Sequence, residues 1–439
     1  MRYQTYPEYK DSGVDWLGKV PNHWVKIPLK YLLSKIIDNR GRTPPIFENG
    51  IPLLELKQIC ADIHPSELFE KFINNQGKRL FIRDDVKGGD ILFGTVGSIG
   101  KCCIVPQKSQ FVIAQNIVGF RTGHRCQSHY FYYLLLSDDF KGCMVTSNKG
   151  NIQDSIKVSD IIRQHTQIPP YDEQTIIANF LDRETTIIDN LISKQQKLIS
   201  LLQEKRQAVI SHAVTKGINP DAKMKDSGVE WLGEVPEHWI VGRYKFCASR
   251  VVVGIAEAAT HAYADVGVPI IRSTNVKEEG LDTSGLLYIK EEFAEQNHSK
   301  YLYANDVITV RTGYPGTSAV IPGYLNKSQC FTNLIATPRK SFLPDFMAEY
   351  LNSHAGKSYF ELLGWGSAQK NISVPILQNI PIAYPSTKEQ FEIVTFVKDR
   401  RKEFSDILAK VERQVALLQE RRTALISAAV TGKIDVRNA

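Results

Sequence analysis

Three short segments carry residue types at spacings that could do chemistry. Gly94, Gly97, Gly100 and Lys101 suggest a phosphate-binding loop, in which backbone N–H groups and a lysine cradle a phosphate chain. The pattern G-x-x-x-x-G-K-[ST] needs glycine where Thr95 stands and a hydroxyl where Cys102 stands, so it fails twice. The dinucleotide fingerprint G-x-G-x-x-G fails as well, because the glycines here are spaced G-x-x-G-x-x-G. Glu55-Leu56-Lys57 could be the E-x-K part of a nuclease site, with the carboxylate on Mg²⁺ and the lysine on the scissile phosphate. No P-D pair precedes it at a workable spacing.

A third segment, Ile168-Pro169-Pro170-Tyr171, has the outline of the loop by which DNA adenine methyltransferases hold a flipped base. That loop needs a side-chain oxygen to accept the amino hydrogen, and Ile168 has none. The ten histidines form no H-E-x-x-H pattern and the seven cysteines no C-x-x-C pair, so neither a metal site nor a disulfide framework is expected. Catalysis finds little support, and the expected cofactor and metal content of this chain is none.

The elements that would position any site are written twice. KDSGVDWLGKVPNHW at 10–24 returns as KDSGVEWLGEVPEHW at 225–239. Gly97 and Gly100 answer to Gly313 and Gly316, Glu173-Gln174 to Glu389-Gln390, and LLQEKR at 201–206 to LLQERR at 417–422. A period this long is a domain duplication, since solenoid repeats run from about 20 to 50 residues. Each copy opens with short apolar runs broken by Gly, Pro and Asn, which read as strands and tight turns with a few helices around Tyr130–Ser137 and Phe346–Ser353. Each copy closes on a stretch without Pro or Gly, Asp172–Val214 and Thr387–Val430, that reads as one long helix, with Ser386 and Glu389 forming a capping box.

In the second helix Val397, Phe404, Val411, Leu418 and Leu425 recur at seven residues, with Leu408 and Val415 four residues after two of them, the seam of a coiled coil. The first helix repeats the seam with Leu181, Ile188, Ile192, Ile199, Leu202 and Val209, interrupted by Gln195 and Arg206. The expected fold class is therefore α+β: two tandem-duplicated α/β globular domains separated by two long helices that pair as a coiled coil. The expected division is 1–170 and 217–386 for the globules, 171–216 and 387–439 for the helices and C-terminal tail.

Binding remains as the function class. The globules differ most where they are rich in Arg, Lys, Asn and Tyr. Candidate DNA contacts are Arg40, Arg42, Lys57, Lys78, Arg79, Arg83 and Lys101 in the first, and Arg272, Thr274, Asn275, Lys277, Arg311, Tyr314 and Lys327 in the second. Arg and Asn suit paired contacts to guanine and adenine, while Lys mainly neutralises phosphate. The net charge of +7 over 439 residues is a weak field, so any basic face must be local. The N-terminal segment has no apolar stretch of signal type and no window is apolar enough for a membrane span, so a cytoplasmic protein without membrane partners is expected.

The tandem D-S-G-V-[DE]-W-L-G-x-V-P-x-H-W boxes, the G-D-I-L-F-G-T-V-G-S-I-G-K segment, Gln369-Lys370-Asn371-Ile372, and the P-P-x-x-E-Q-x-x-I run into a long helix together resemble the specificity subunits of type I restriction-modification systems. The doubled L-L-Q-E-[KR]-R-x-A-[VL]-I-S-x-A-V-T endings extend that resemblance over essentially the full chain. It implies a non-catalytic, DNA-binding subunit with two target-recognition domains, each reading one half of a bipartite, asymmetric site in double-stranded DNA. It implies also that the two conserved helices pack antiparallel as a spacer. Two modification (methyltransferase) subunits would bind S-adenosylmethionine, direct adenine methylation and dock on this frame. Restriction (translocase-nuclease) subunits would use ATP and Mg²⁺. The alternatives are a self-sufficient DNA methyltransferase or nuclease with an unrecognised site, and a coiled-coil protein scaffold.

Overall fold

The computed structural model describes residues 3–41, 43–60, 62–97, 99–147, 155–256, 260–364 and 370–439. The chain resolves into two compact units, residues 1–196 with 413–439, and residues 197–412. The long helices are Tyr171–Lys216 and Thr387–Val430, so each helix gives one half to each unit. Their ends agree with the Pro- and Gly-free stretches to within two residues, and the 46-residue first helix is about 69 Å long at 1.5 Å per residue. Gly217, at φ +81°, supplies the left-handed residue that stops the first helix.

In the first unit the tryptophan box folds as a hairpin of strands Tyr9–Asp11 and Lys19–Pro21. Val25–Pro28 then pairs antiparallel with His165–Ile168, the strand that leads into the long helix. Leu33–Ile37, Ile117–Thr122, Ile91–Gly94 and Cys102–Ile104 stand in that order in one antiparallel sheet. Ile51–Leu54 lies between Phe72–Ile73 and, in parallel, Val112–Ile113. All four residues of Ile91–Gly94 are buried, which is why that strand reads as a continuous apolar run and not as an alternation.

The second unit repeats this plan. Met224–Asp226 pairs with Glu234–Pro236, and Ile240–Arg243 with Pro381–Tyr384. The four-stranded sheet runs Ala248–Val253, Leu334–Pro338, Val307–Thr309, Ser318–Val320, and Val268–Ile271 again has one antiparallel and one parallel neighbour, Leu287–Ile289 and Gln329–Cys330. The expected short helices are Ser128–Leu136 and Pro344–Asn352.

Each core closes on the long helices. In the first unit Trp24, Phe93, Phe120 and Tyr130 share one core with Leu181, Ile188, Leu425 and Val430. Gly432 sits against Pro21 and Trp24 at the start of the first helix, while Arg422, ten residues earlier, holds Asp189 through Nε at 2.8 Å. The two helix segments in this unit are therefore antiparallel. In the second unit Ile210, Ala213 and Val214 join Trp239, Ile393, Val394 and Val397, and Gly217 lies beside Glu389, again end against start.

Of the seam residues, Leu181, Ile188, Val397, Phe404, Leu408, Val411 and Leu425 are buried. Ile192, Ile199, Leu202, Val209, Val415 and Leu418 are half-buried, so every one of the expected seam positions is turned from solvent. The intruder Arg206 pairs with Glu279 of its own unit's globule at 3.3 Å. Gln195 keeps a buried Oε1 without a partner.

The glycine-rich segments are hairpin turns. Gly97 and Gly100 (φ +78° and +82°) join Ile91–Gly94 to Cys102–Ile104, and Gly313 and Gly316 (φ +97° and +94°) join Val307–Thr309 to Ser318–Val320. A strand follows where a phosphate loop needs a helix. A Cβ on Gly316 would lie 2.3 Å from the Phe360 ring. Gly316→Ala should therefore cost at least about 1–3 kcal/mol, the usual cost of overpacking, and lower the urea midpoint at unchanged slope.

Candidate nucleic-acid interface

Both units hold their tryptophan box to the long helix through one glutamate. Glu173 Oε1 accepts from the Trp24 indole at 3.1 Å and the Tyr6 hydroxyl at 2.8 Å, and its Oε2 lies 2.7 Å from His23 Nε2. Glu389 accepts from the Trp239 indole at 3.0 Å and lies 2.8 Å from His238 Nε2. The next residue closes the loop before the helix. Gln174 takes the Gln127 N–H and donates to the Arg125 and Pro169 carbonyls; Gln390 takes the Leu343 N–H and donates to the Ser341 and Pro385 carbonyls. The capping box holds by half, because Ser386 Oγ accepts the Glu389 N–H while the Glu389 carboxylate has gone to the box.

The E-x-K segment is occupied by structure. Glu55 pairs with Lys71 at 2.7 Å and Lys57 at 3.6 Å, and Lys57 also holds Glu70. Among the described residues no group of three or more His, Cys, Asp or Glu could hold a metal ion. The short turn after this strand is braced by buried Gln58, whose Oε1 accepts the Glu55 N–H and whose Nε2 donates to the Leu68 carbonyl.

Asn275 does the same in the second unit, accepting the Arg272 N–H and donating to the Asp282 carbonyl at 2.9 Å. Its amide, 3% exposed, is spent inside the turn. The signal was in the repeat: Gln58 and Asn275 each stand three residues after the aligned pair Glu55 and Arg272. Asn275→Ala should lower stability by about 1–3 kcal/mol, the cost of unpaired buried partners, and leave sequence preference unchanged in a binding assay.

Buried Asn39 ties two loops of the first unit together. Its Oδ1 accepts the Arg83 and Asp84 N–H groups and its Nδ2 donates to the Asp84 carbonyl, which draws the loop of Arg40 to that of Arg83. Arg40 is held by Asp38 at 2.8 Å, which keeps that carboxyl below its ordinary range, and Lys78 by Asp85 at 2.9 Å. Arg79, Arg83 and Lys101 are exposed, and Lys57 stands apart in its own ion pairs. Arg42 lies outside the described residues. No sequence signal marked Asn39, since a lone Asn after a strand is a common turn residue.

In the second unit Thr274, Lys277 and Lys327 are exposed, and half-buried Arg272 donates to the Gly285 carbonyl at 3.2 Å. Tyr314 stands 86% exposed on the glycine turn. Below it Thr312 bonds Asn371, and the Ile372 N–H donates to the carbonyl of half-buried Arg311 at 3.1 Å. Ser155 and Ile156 fasten the first unit's turn in the same way, bridging Val96 and donating to the Thr95 carbonyl. Gln153, Asp154 and Gln369 of these loops lie outside the described residues.

The type I restriction modification DNA specificity domain matches residues 67–201 and 257–417, more than half of the chain. The chain belongs to this family. It is 22% identical over 210 residues to the type I restriction enzyme StySPI specificity subunit of Salmonella potsdam, and 23% over 210 residues to the EcoKI specificity subunit of Escherichia coli K12. Each alignment covers 46% of this chain and 44% of the relative, so the chain spans about half the length of the curated relatives it matches. Its fold is that of a solved chain from a type I restriction-modification system studied for complex assembly and conformational transition, at 14% identity, TM-score 0.68, and coverage of 94% and 98% of the two chains. The HsdS subunit of Thermoanaerobacter tengcongensis is similar over the same shares at 14% identity and TM-score 0.51. Both family-matched segments carry strands, and the first long helix, Tyr171–Lys216, begins inside the first matched segment and ends before the second begins at residue 257. No helix among the described residues is long and apolar enough to cross a membrane.

Proposed function

We propose that this chain is the DNA sequence-specificity subunit of a type I restriction-modification complex. The modules are residues 1–170 and 217–386, the spacers 171–216 and 387–439. Each module reads one half of a bipartite, asymmetric target in double-stranded DNA. The paired helices fix the half-site spacing and dock two modification subunits, so that adenine methylation and restriction are carried out by partner subunits in the cytoplasm and this chain performs no chemistry. S-adenosylmethionine, ATP and Mg²⁺ belong to those partners.

One observation carries the reading: two units of this family share sheet order, strand pairing and the Trp–His–Glu joint, while the residues on their turns and loops differ. A symmetric dimer must read a palindrome, whereas two diverged modules in one chain can read unrelated half-sites. Each wrong base pair costs about 1–3 kcal/mol, so a few bases per half give joint specificity that neither module has alone.

Methylome sequencing of cells carrying the chain with its modification partner should show one methylated motif with two unlike halves at fixed spacing. Methylation without sequence preference, or methylation by the purified chain alone, would reject the proposal. Arg79→Ala or Arg83→Ala in the assembled complex should lower the salt slope of DNA binding by about one per residue if these side chains contact phosphate.

A further inference from the structure

We propose that a groove over Phe396 in the second unit is a docking site for a tyrosine ring carried on an extended segment of a partner polypeptide. The inference stands apart from DNA recognition and rests on an internal template. Phe180 and Phe396 occupy the same place in the two long helices, 216 residues apart. In the first unit Phe180 is 3% exposed, because the Tyr3 ring meets it edge-on at 5.4 Å and 89°. The segment that brings Tyr3 continues extended, with Gln4 bridging antiparallel to Asp435 just beyond the end of the second helix.

The second unit offers the same floor without the ring. By the 215-residue offset of the tryptophan boxes, Ile218 stands where Tyr3 stands in the first copy, and it is itself 38% exposed. Phe396 is left half-buried in an open groove of about 330 Å³, floored with Val209 and Ala213, walled by Ile218 and rimmed by His212 and Asn219. Aromatic pairs of edge-to-face geometry contribute beyond their buried area, so a ring fits here better than an aliphatic chain. The rim favours a phenol over a phenyl group. The first copy has Ala428 where His212 stands and Asp435 where Asn219 stands, so the imidazole gives a hydroxyl a partner that the first copy lacks.

The probe is a synthetic peptide of residues 1–9, Met-Arg-Tyr-Gln-Thr-Tyr-Pro-Glu-Tyr, titrated onto the full chain with hydrogen exchange as the readout. Saturable binding is expected, with protection over residues 208–220 and 393–397. Replacing the peptide's third residue with alanine should weaken binding roughly tenfold, the size of one well-packed ring contact. An Ile218→Tyr chain, whose own ring fills the groove, should lose peptide binding and keep or raise its melting temperature. His212→Ala should narrow the preference for tyrosine over phenylalanine at the third position. Absence of saturable binding up to about 1 mM, equal affinity of the alanine peptide, or undiminished binding to a folded Ile218→Tyr chain would each overturn the proposal. So would self-association that Ile218→Tyr abolishes and the peptide fails to compete, which would give the groove to a second copy of this chain.

Discussion

Glu173→Ala should be among the most destabilising single substitutions in the first unit, at roughly 3–5 kcal/mol, because it strips the acceptor from two buried donors at once. The Trp24 indole is fully buried and Tyr6 is 3% exposed, so neither N–H nor O–H can turn to water when the carboxylate is gone. Burial and the carboxylate itself hold the Tyr6 hydroxyl protonated far above its ordinary range, so it remains a donor at any working pH. His23 is 41% exposed on its side chain and regains water, so it adds little to the loss.

The second unit is a built-in control. Glu389 serves the buried Trp239 indole and a His238 that is 58% exposed, and Asp221 stands where Tyr6 would be. Glu389→Ala should therefore cost about 1–3 kcal/mol, one buried donor instead of two. Denaturant unfolding followed by hydrogen exchange around residues 20–28 and 235–243 separates the two. Equal losses, or a larger loss at Glu389, would show that the Tyr6 bond contributes nothing. Glu173→Gln keeps a carbonyl acceptor and should fall between wild type and alanine.

The duplication and the long helices were legible because both are periodic. An offset of 215 to 216 residues and a heptad seam survive without knowledge of any contact, and every seam position named from spacing is turned from solvent. Failed motifs were legible for a related reason. Thr95, Cys102 and Ile168 lack a chemical group, and no fold supplies it. The interface was much less legible. Arg and Lys look alike in sequence whether free or paired, yet Arg40, Lys57 and Lys78 each hold an aspartate or glutamate while Arg79, Arg83 and Lys101 are exposed. Asn275 looks the same in sequence whether it braces its own turn or faces a ligand. Its equivalence to Gln58 shows only when both amides are seen bonding their turns.

The ends of the chain are where sequence reasoning saw least and where the second large effect is expected. Residues 431–439 read as a short tail beyond a helix, but they complete the first unit's core. Val436 is 1% exposed and Thr431 fully buried, with its hydroxyl on the Ser427 carbonyl. Tyr9 donates to the Gly432 carbonyl at 3.0 Å, Asp435 pairs with Gln4, and Arg437 lies 4.9 Å over the Tyr6 ring while holding Asp435 at 2.6 Å. A chain ending at Val430 loses a buried valine, worth about 1.5–3 kcal/mol, and several hydrogen bonds, one of them buried, at about 1 kcal/mol each. The expected loss is roughly 3–5 kcal/mol, confined to exchange protection in residues 3–24 and 171–190, with the second unit's core around Trp239 unchanged. Because the lost contacts are non-covalent, a peptide of residues 431–439 added in excess should restore part of the protection. A truncated chain that melts like the full one would show that these contacts contribute no net stability.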